Sequence, residues 1–465
     1  MLTSYLLSHL VAVITAVAST LMLVRLLATN RTPQSLLAWG LALMFVPLVA
    51  IPLYFLVGAR KFPRTAKRTM RTAPSRSDLA SPGPVARVLV ALGAPPARAG
   101  HRFEMLENGE RAYARLMELI AASRRTIDLT MFILGDDATG RSVVDALAAR
   151  ARAGVRVRVV LDAVGSTRSK RRAARLLHEA GGSVRPFMPL LHAPFRGRNN
   201  LRCHRKLGLF DGEHVFAGGM NIADEYMGPA PLAGRWRDVA GVVSGPIAVD
   251  VAALFESDWE FCGGKRAVAK PREAEEDADA AVPPKVGEAT VQLVPSGPDM
   301  VHDTVYDAVL TAIAVATERI VIVTPYYVPD DVVQRALLLA ARRGVRTQLL
   351  VPSRSNHAFA DFARRSLLRE LADAGVELRF YPHGMVHAKA MVVDDAFAFI
   401  GSPNIDMRSF FLNYEDAVCL YTSPDIGQVR AWVDALLAEC TSKGPHSKRE
   451  YWLFEQVAKM IAPEL

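Results

Sequence analysis

Two long apolar runs open the chain. Residues 4–24 are almost wholly apolar, and residues 36–58 contain no charged residue over 23 positions. A run of that length spans a hydrocarbon core of about 30 Å. Pro47 and Pro52 interrupt the second run, but membrane helices tolerate proline. The first run lacks the basic flank of a cleaved signal peptide, so residues 1–59 are predicted to form a two-helix transmembrane hairpin.

A strongly basic stretch follows this hairpin. Residues 60–76 contain seven Lys and Arg residues and no acidic residue, whereas the loop between the apolar runs carries one charge, Arg31. Basic residues accumulate on the cytoplasmic side of membrane helices. We therefore expect both the N-terminus and the large C-terminal region to be cytoplasmic, with residues 60–100 forming a basic juxtamembrane segment and linker close to anionic lipid headgroups.

Beyond residue 100, one pattern of predicted helices and strands occurs twice. In the first copy, strand-like runs cover 126–134 and 154–162, and in the second they cover 319–328 and 344–352. The offsets between the copies are 193 residues at the first run and 190 at the second. Strands that alternate with helices at this spacing predict an α/β fold with mainly parallel pairing. The chain is thus interpreted as two copies of one α/β unit.

These copies are expected at 101–270 and 287–465, joined by an exposed acidic linker at 271–286. The net charge of the whole chain is +9, and the basic stretch leaves only +2 for the rest. A nucleic-acid-binding domain usually carries its basic residues on its folded surface. The four cysteines show no CxxC spacing, so neither a zinc site nor any other metal or cofactor site is predicted.

Each copy carries the same polar motif, H-x-K-x4-D-x6-G-x-x-N. One such match arises by chance in well under ~1% of chains of this length, and two at equivalent positions are therefore significant. The members are His204, Lys206, Asp211, Gly218 and Asn221 in the first copy, and His387, Lys389, Asp394, Gly401 and Asn404 in the second.

These residue types suit phosphodiester exchange in two steps. A neutral imidazole can accept a phosphoryl group near pH 7, and a second imidazole can donate and then take back a proton. On a strand, Lys206 and Lys389 would share a face with their histidines and bind the phosphoryl oxygens. Further donors to developing charge are expected from three neutral side chains, namely Asn221, Ser402 and Asn404.

Two carboxylates are candidates for orienting the histidines. Glu415 and Asp238 follow the histidines of their own copies by 28 and 34 residues, and each opens a strand-like run. By position they are equivalent, and each would fix the tautomer of its histidine as in a Ser-His-Asp triad. The alternative is that they are ordinary acids at strand edges. Asp224 and Glu225 compete for the role of Asp238.

The sequence segments in and around the motifs resemble those of bacterial cardiolipin synthases of the phospholipase D superfamily. The similar segments are AWGLALMFVPLVAIPLYFLVGARKF, RCHRKLGLFDGEHVFAGGMNIADEY, TPYYVPD, MVHAKAMVVDD and GSPNIDMRSFFLNYE. Gly219 departs from many superfamily members, which have serine there. The resemblance implies two phospholipase D-like repeats packed with pseudo-two-fold symmetry. It also implies that His204 is the nucleophile, that His387 is the acid and base, and that Asp211 and Asp394 brace the site.

The expected activity is a phosphatidyl transfer from one phosphatidylglycerol to another, which gives cardiolipin and glycerol. Water as the acceptor would make the chain a phospholipase D hydrolase instead, and a superfamily nuclease or a lipid-binding scaffold are weaker alternatives. The expected partners are phosphatidylglycerol and anionic membrane lipids rather than nucleic acid, and the expected location is the bacterial inner membrane. The oligomeric state is left open.

Overall fold

The computed structural model describes residues 2–27, 33–58, 82–189, 200–265, 283–444 and 455. The basic stretch at 60–76 and linker residues 271–282 lie outside the described residues. Contacts divide the chain into two compact units, one holding the N-terminal helices and one holding the two motifs.

The described residues of the N-terminal unit form three helices: α1 (Leu2–Leu27), α2 (Pro33–Phe45) and α3 (Pro47–Val57). Buried side chains of all three pack together, among them Met22, Leu26, Leu43 and Ala50. Within the described residues, one helix is long and apolar enough to cross a membrane, through Tyr5–Leu27.

The second apolar run is not one continuous helix, contrary to the simplest expectation for residues 36–58. The helix stops at Val46, whose φ of −135° and ψ of 53° are not helical, and restarts at Pro47. Proline has no N–H to donate to the preceding turn, and its ring clashes with that turn. Pro52, by contrast, lies inside α3 without ending it.

The unit with the motifs alternates helices and strands. Residues 82–265 contain α4 (Pro84–Ala91), β1 (Arg98–Leu106), α5 (Gly109–Ala122), β2 (Thr126–Met131), α6 (Ala138–Arg152), β3 (Arg156–Asp162), α7 (Lys170–Glu179), β4 (Ser183–Phe187), β5 (Leu207–Phe210), β6 (His214–Gly218), β7 (Ala240–Ser244) and α8 (Ile247–Phe261).

A closely similar series follows in residues 283–444. It contains β8 (Ala289–Ser296), α9 (Thr304–Val315), β9 (Arg319–Val323), β10 (Tyr327–Val328), α10 (Asp331–Arg342), β11 (Arg346–Pro352), α11 (Ala358–Asp373), β12 (Glu377–Tyr381), β13 (Ala390–Val393), β14 (Phe397–Gly401), β15 (Ile405–Asp406), α12 (Met407–Phe411), β16 (Glu415–Leu420) and α13 (Ser423–Ala438). We call residues 82–265 the first half and residues 283–444 the second half.

One 14-stranded sheet runs through both halves, in the order β12-β11-β9-β13-β14-β16-β8-β1-β7-β6-β5-β2-β3-β4. The order of the second half mirrors that of the first, and the antiparallel pair β1–β8 joins them at the centre. The segments that precede β5 and β13 also meet, through single bridges, the segments of the opposite half that precede β16 and β7. Residues far apart in the sequence are therefore brought together where the two motifs begin.

The expectation of mainly parallel pairing is wrong. Only the outer strands, β2–β3–β4 and β9–β11–β12, are parallel, and all other neighbours in the large sheet are antiparallel. Parallel strands need a helical crossover, which the chain supplies only before each motif. Three-residue turns join β5 to β6 and β13 to β14, and short turns of this kind make antiparallel hairpins.

Three helices begin at side-chain caps along one edge of the large sheet. Asn108 caps α5, and Asp137 and Asp330 cap α6 and α10 by accepting backbone N–H donors. Such caps satisfy donors that the first helical turn leaves unpaired. They also fix the loops that follow β2 and β9, which lie at the carboxyl ends of those strands. In open α/β sheets, ligands usually bind at the carboxyl ends of the strands.

Candidate active site

Both motif histidines lie in extended segments just before a strand rather than within one. His204 precedes β5, and its backbone N–H donates to the carbonyl of Tyr414 at 2.8 Å. His387 precedes β13, and its N–H donates to the carbonyl of Arg237 at 2.7 Å. Each histidine is therefore held against a segment of the opposite half. In both segments the next residues enter the central sheet, which fixes the direction of the imidazoles.

The two carboxylates are exchanged between the halves. Nδ1 of His204 lies 2.9 and 3.0 Å from the carboxylate oxygens of Glu415. Nδ1 of His387 lies 2.7 Å from Oδ2 of Asp238. The expectation that each carboxylate orients the histidine of its own half is therefore wrong. A carboxylate accepts only, so each imidazole presents Nδ1–H to it and keeps Nε2 as its reactive atom.

The rival candidates for orienting a histidine are used differently. Asp224 accepts the backbone N–H of Thr139 at 3.0 Å. Glu225 has a side-chain hydrogen bond with Tyr226 and is exposed. Neither carboxylate bonds a motif histidine, whereas Asp238 and Glu415 are almost completely buried beside one.

Lys206 and Lys389 are buried next to the histidines. Nζ of Lys206 donates to the carbonyl of His204 at 2.7 Å, and Nζ of Lys389 donates to that of His387 at 2.5 Å. Nζ of Lys389 also lies 2.7 Å from Nδ1 and 3.0 Å from Nε2 of His387. The lysines precede β5 and β13, so an extended segment rather than a strand sets their positions. The two ammonium groups are therefore buried next to the motif histidines.

The first histidine faces a strongly acidic carboxylate. Burial, opposed by the charge of Glu415 and reinforced by that of Lys206, lowers the pKa of His204 to about 4. Burial alone would raise the pKa of Glu415, but the charge and hydrogen bond of His204 outweigh it and lower that pKa to about 2. At neutral pH, His204 is therefore neutral and Glu415 ionised, which suits an imidazole that attacks phosphorus.

The second histidine has a weaker partner. Burial and the charges of Lys389 and Lys206 lower the pKa of His387 well below its ordinary value. Burial raises the pKa of Asp238 to about 6, against the charge of Lys389. Burial also lowers the pKa of Lys389 to about 7, against the charge of Asp238. A bound phosphodiester brings a negative charge next to these groups, which favours protonation of His387.

The carboxylates are supported by different neighbours in the two halves. Ser402 Oγ donates to Glu415 at 2.5 Å, and Asn413 Nδ2 donates to it at 3.1 Å. The position equivalent to Ser402 is Gly219, where an added Cβ would lie 2.2 Å from Oδ1 of Asp238. The shorter aspartate thus occupies space that a serine side chain would need. This explains the glycine that departs from the superfamily pattern.

The two motif asparagines are buried but are not equivalent. Oδ1 of Asn221 accepts the backbone N–H of Ile133 at 3.1 Å, and its side chain also bonds Tyr226. The side chain of Asn404 bonds Asp406, and its Oδ1 has no hydrogen-bond partner among the described residues. Asn221 therefore ties the loop after β2 to the first motif.

The motif aspartates lie at the far ends of β5 and β13, away from the histidines. Asp211 accepts the backbone N–H groups of three consecutive residues at 2.7–2.9 Å, namely Arg124, Arg125 and Thr126. Asp394 does the same at 2.7–3.0 Å with Thr317, Glu318 and Arg319. Both aspartates have positive φ, at 53° and 51°. These contacts anchor the turn after each strand to the start of β2 or β9.

Three aromatic rings that the sequence reasoning missed pack on the imidazoles. The ring of Phe132 lies 4.9 Å from that of His204. The rings of Tyr226 and Trp236 lie 5.0 and 5.4 Å from that of His387. Phe132 follows β2. Tyr226 and Trp236 follow the first motif but pack on the histidine of the second, so no local sequence pattern linked them to that imidazole. They exclude water and lower the local dielectric constant.

The arrangement supplies two imidazoles, two ammonium groups and two carboxylates in one buried site. Within residues 82–189, 200–265 and 283–444, no group of three or more His, Cys, Asp and Glu side chains is arranged to hold a metal ion. Two oriented Nε2 atoms beside two cations suit nucleophilic and acid–base catalysis on an anionic phosphodiester.

Comparison with known proteins identifies the class of protein that has this fold and these motifs. The family described as "Cardiolipin synthase, PLD-like domain" matches residues 116–259 and 309–437. The solved structure of phosphatidylserine synthase from Haemophilus influenzae shares the fold, with a TM-score of 0.62 at 15% identity over 82% of this chain and 100% of that one. The fold and the paired motifs therefore define a phospholipase D-like protein with two such domains.

Closer relatives narrow this class. Cardiolipin synthase A of Pseudomonas aeruginosa is 32% identical, over 94% of this chain and 92% of that protein. Cardiolipin synthase 1 of Bacillus anthracis is 31% identical, over 86% of this chain and 82% of that protein. The chain belongs to the cardiolipin synthase family and is an enzyme of the phosphatidyltransferase type.

Proposed function

We propose that the protein makes cardiolipin by moving a phosphatidyl group from one phosphatidylglycerol to a second, with release of glycerol. One observation carries the proposal for the site. Two imidazoles, each held at Nδ1 by a carboxylate of the opposite half, lie beside two buried lysines. Membership of the cardiolipin synthase family supports the choice of lipids.

In the first step, Nε2 of His204 attacks the phosphorus of the donor lipid. The bond from phosphorus to the glycerol oxygen breaks, and His387 donates a proton to that oxygen as it leaves. Lys206 and Lys389 hold the charged phosphoryl oxygens, where fixed cations stabilise the transition state most. The products of this step are free glycerol and a phosphatidyl group bound to His204.

In the second step, the terminal hydroxyl of another phosphatidylglycerol attacks the same phosphorus. His387 is now neutral and takes the hydroxyl proton. The phosphorus–nitrogen bond breaks, which returns His204 to its neutral state and releases cardiolipin. The two steps consume two phosphatidylglycerol molecules. His387 ends protonated, as it began, because the proton lost to glycerol is replaced by one from the acceptor hydroxyl.

The unequal carboxylates support His204 as the nucleophile. A phosphorylated imidazole carries positive charge, which the ionised Glu415 stabilises through Nδ1–H. A proton shuttle instead benefits from a partner whose pKa is nearer neutrality, as burial makes that of Asp238. Asp211 and Asp394 brace the turns, and Asn221, Ser402 and Asn404 orient or line the site.

We further infer that the two halves act as pseudo-symmetric repeats at 101–270 and 287–465, joined by the linker at 271–286. The mirrored strand order supports this arrangement. We also infer that α1 and the kinked pair α2–α3 form a membrane hairpin, with the basic stretch at 60–76 against anionic lipid. The later part of the predicted linker instead forms α4, whose Val85 and Leu89 are buried in a hydrophobic core with residues of the second half. The apolar span of α1 and the basic stretch after the helices support an inner-membrane enzyme whose catalytic region is cytoplasmic.

A lipid assay tests the proposal. Purified protein in vesicles with EDTA is incubated with headgroup-labelled phosphatidylglycerol, and the products are separated. We expect cardiolipin and labelled glycerol, both lost in His204→Ala. Phosphatidic acid without cardiolipin would contradict the transferase, because water would then be the acceptor. Loss of all activity in EDTA, restored by a divalent cation, would contradict the mechanism without a metal.

A further inference from the structure

A cleft of about 810 Å³ opens in the first half, between the loops that follow β2, β3 and the first motif. Its wall includes Ile133 and Glu225. Each of them is next in sequence to a ring that packs on a motif histidine, Phe132 on His204 and Tyr226 on His387. The cleft therefore lies within one residue, along the chain, of rings that pack on both motif histidines, and its volume is typical of small-ligand pockets.

Most charged groups that line the cleft are used by the fold. Asp137 caps α6, and Asp224 accepts the N–H of Thr139. Asp136 pairs with Arg141. Arg235 pairs with Glu110.

Two lining groups remain, Arg168 and Glu225, and neither forms an ion pair with another described residue. Arg168 is exposed, and the carboxylate of Glu225 has a side-chain hydrogen bond with Tyr226. Although the residue as a whole is exposed, partial desolvation of its carboxylate, with the charge of Asp137, raises the pKa of Glu225. One cation and one carboxylate are thus presented to whatever enters the cleft.

The second half differs at the corresponding position. The first motif continues from Asn221 as NIADEY, and the second continues from Asn404 as NIDMRS. Glu225 in the first half therefore corresponds to Arg408 in the second. A carboxylate repels a phosphodiester but accepts hydrogen bonds from hydroxyl groups. The reaction uses two molecules of one lipid in different roles, and this asymmetry allows the enzyme to distinguish them.

We propose that the cleft binds the headgroup of the acceptor phosphatidylglycerol, an inference that rests on the function proposed above. Glu225 accepts a hydrogen bond from the central hydroxyl of the headgroup, and Arg168 binds its phosphate. The terminal hydroxyl is then free to approach His387, whose ring contacts Tyr226. Glu225 is thus a specificity residue for the acceptor, and it takes no part in the attack on the donor.

The test separates the two half-reactions. Phosphatidyl-p-nitrophenol serves as the donor, since its leaving group needs no acid, and the burst of p-nitrophenol reports the formation of the phosphatidyl-enzyme. Acceptors are phosphatidylglycerol and phosphatidyl-1,3-propanediol, which lacks the central hydroxyl. In Glu225→Ala we expect transfer to phosphatidylglycerol to fall about 10- to 100-fold, as for the loss of a hydrogen bond to a charged group. The burst should be unchanged.

Comparison of the two acceptors makes this a double-mutant cycle. The wild-type enzyme should lose a similar factor when the central hydroxyl is absent, and Glu225→Ala should lose nothing further on that acceptor. Asp136→Asn, a second carboxylate of the same cleft, should behave like wild type. Arg168→Gln should raise the acceptor KM without changing the burst.

Three results would overturn the proposal. They are equal losses of burst and transfer in Glu225→Ala, independent losses from the variant and the missing hydroxyl, and an unchanged rate of transfer in Glu225→Ala. A wild-type enzyme that gives a burst but never forms cardiolipin would instead contradict the proposed function itself. The two failures are therefore distinguishable.

Discussion

The two halves carry the same motif but support it differently. The first half supplies His204 and pairs a glycine, Gly219, with the shorter carboxylate, Asp238. The second half supplies His387 and pairs a serine, Ser402, with the longer carboxylate of Glu415. Because the carboxylates are exchanged, the stronger acid faces His204 and the weaker acid faces His387. One duplicated framework thereby gives two chemically distinct imidazoles.

The largest effect is expected from the histidines themselves. His204→Ala and His387→Ala should each lower kcat for cardiolipin synthesis by more than about 10⁴-fold, as for members of other catalytic groups that act as a unit. The double variant should be no worse than either single variant. Product analysis of the three proteins at equal concentration checks this, and additive losses would show that the two imidazoles act separately.

The exchanged carboxylates should come next. Glu415→Gln should lower kcat by about 10³- to 10⁴-fold, because the neutral amide no longer fixes the tautomer of His204 or stabilises its positive charge. Asp238→Asn should cost less, about 10²- to 10³-fold, because Asp238 is the weaker acid.

A burst assay with phosphatidyl-p-nitrophenol separates the two carboxylates. Glu415→Gln should slow the burst, whereas Asp238→Asn should slow mainly the discharge to the acceptor. The reverse pattern would mean that the carboxylates serve the histidines of their own halves.

The glycine of the first half should matter more than the serine of the second. Gly219→Ser would push Asp238 off His387, and a displacement near 1 Å can cost about 10²-fold in kcat. Ser402→Gly removes one of the donors to Glu415 and leaves Asn413 in place, so about 10-fold is expected. Kinetics of both variants, with circular dichroism as a control for folding, test this ranking. An equal loss in the two variants would remove the steric argument.

The pH dependence should reflect the two halves separately. In the proposed mechanism, protonated Lys389 binds phosphate. Burial lowers its pKa to about 7, so kcat/KM should fall as the pH rises above about 7. At the other end, kcat/KM should fall as His204 becomes protonated near its pKa of about 4.

Substitution by arginine assigns the upper limb of this profile. Arginine stays charged over this range, so Lys389→Arg should move the upper limb to higher pH. Lys206, whose pKa burial lowers only to about 8, should give a smaller change in Lys206→Arg. An upper limb that both variants leave in place would belong to another group.

The smallest effect on catalysis is expected from the motif aspartates. Asp211→Ala loses the acceptor for three backbone N–H groups and places alanine at a positive φ. Unfolding free energy should fall by about 2–4 kcal/mol, with kcat of the folded protein near that of wild type. Asp394→Ala should behave alike. Denaturant titration measures this, and a large loss of kcat at full stability would instead place these aspartates in the chemistry.

The candidate site residues could be picked out of the sequence because each motif is short and occurs twice. The spacing within each motif identified His204 and His387, and equivalence of position singled out Glu415 and Asp238. The sequence did not predict that each carboxylate bonds the histidine of the opposite half, because two equivalent carboxylates fit either histidine equally well. Only the bridges of Cys203 with Tyr414 and of Arg237 with Val386 decide the pairing, and such long-range bridges leave no local pattern.

The fold was predicted less completely for a similar reason. The crossover spacing correctly indicated parallel strands, but only for the three outer strands of each half. The Asp211–Gly212 pair between two apolar runs is a hairpin signal, and it would have predicted the antiparallel β5–β6 pair. The sequence also allows the helix break at Val46 to be predicted, because Pro47 cannot continue the hydrogen bonds of the preceding turn.

In the proposed mechanism the halves divide the chemistry, with the phosphatidyl group on His204 and the proton on His387. The most direct test uses His387→Ala with phosphatidyl-p-nitrophenol labelled at phosphorus, whose leaving group needs no acid. Without the base, the covalent intermediate should accumulate, and peptide mapping should find the label on His204. Label on any other residue, or no covalent label beside a full burst of p-nitrophenol, would contradict the account.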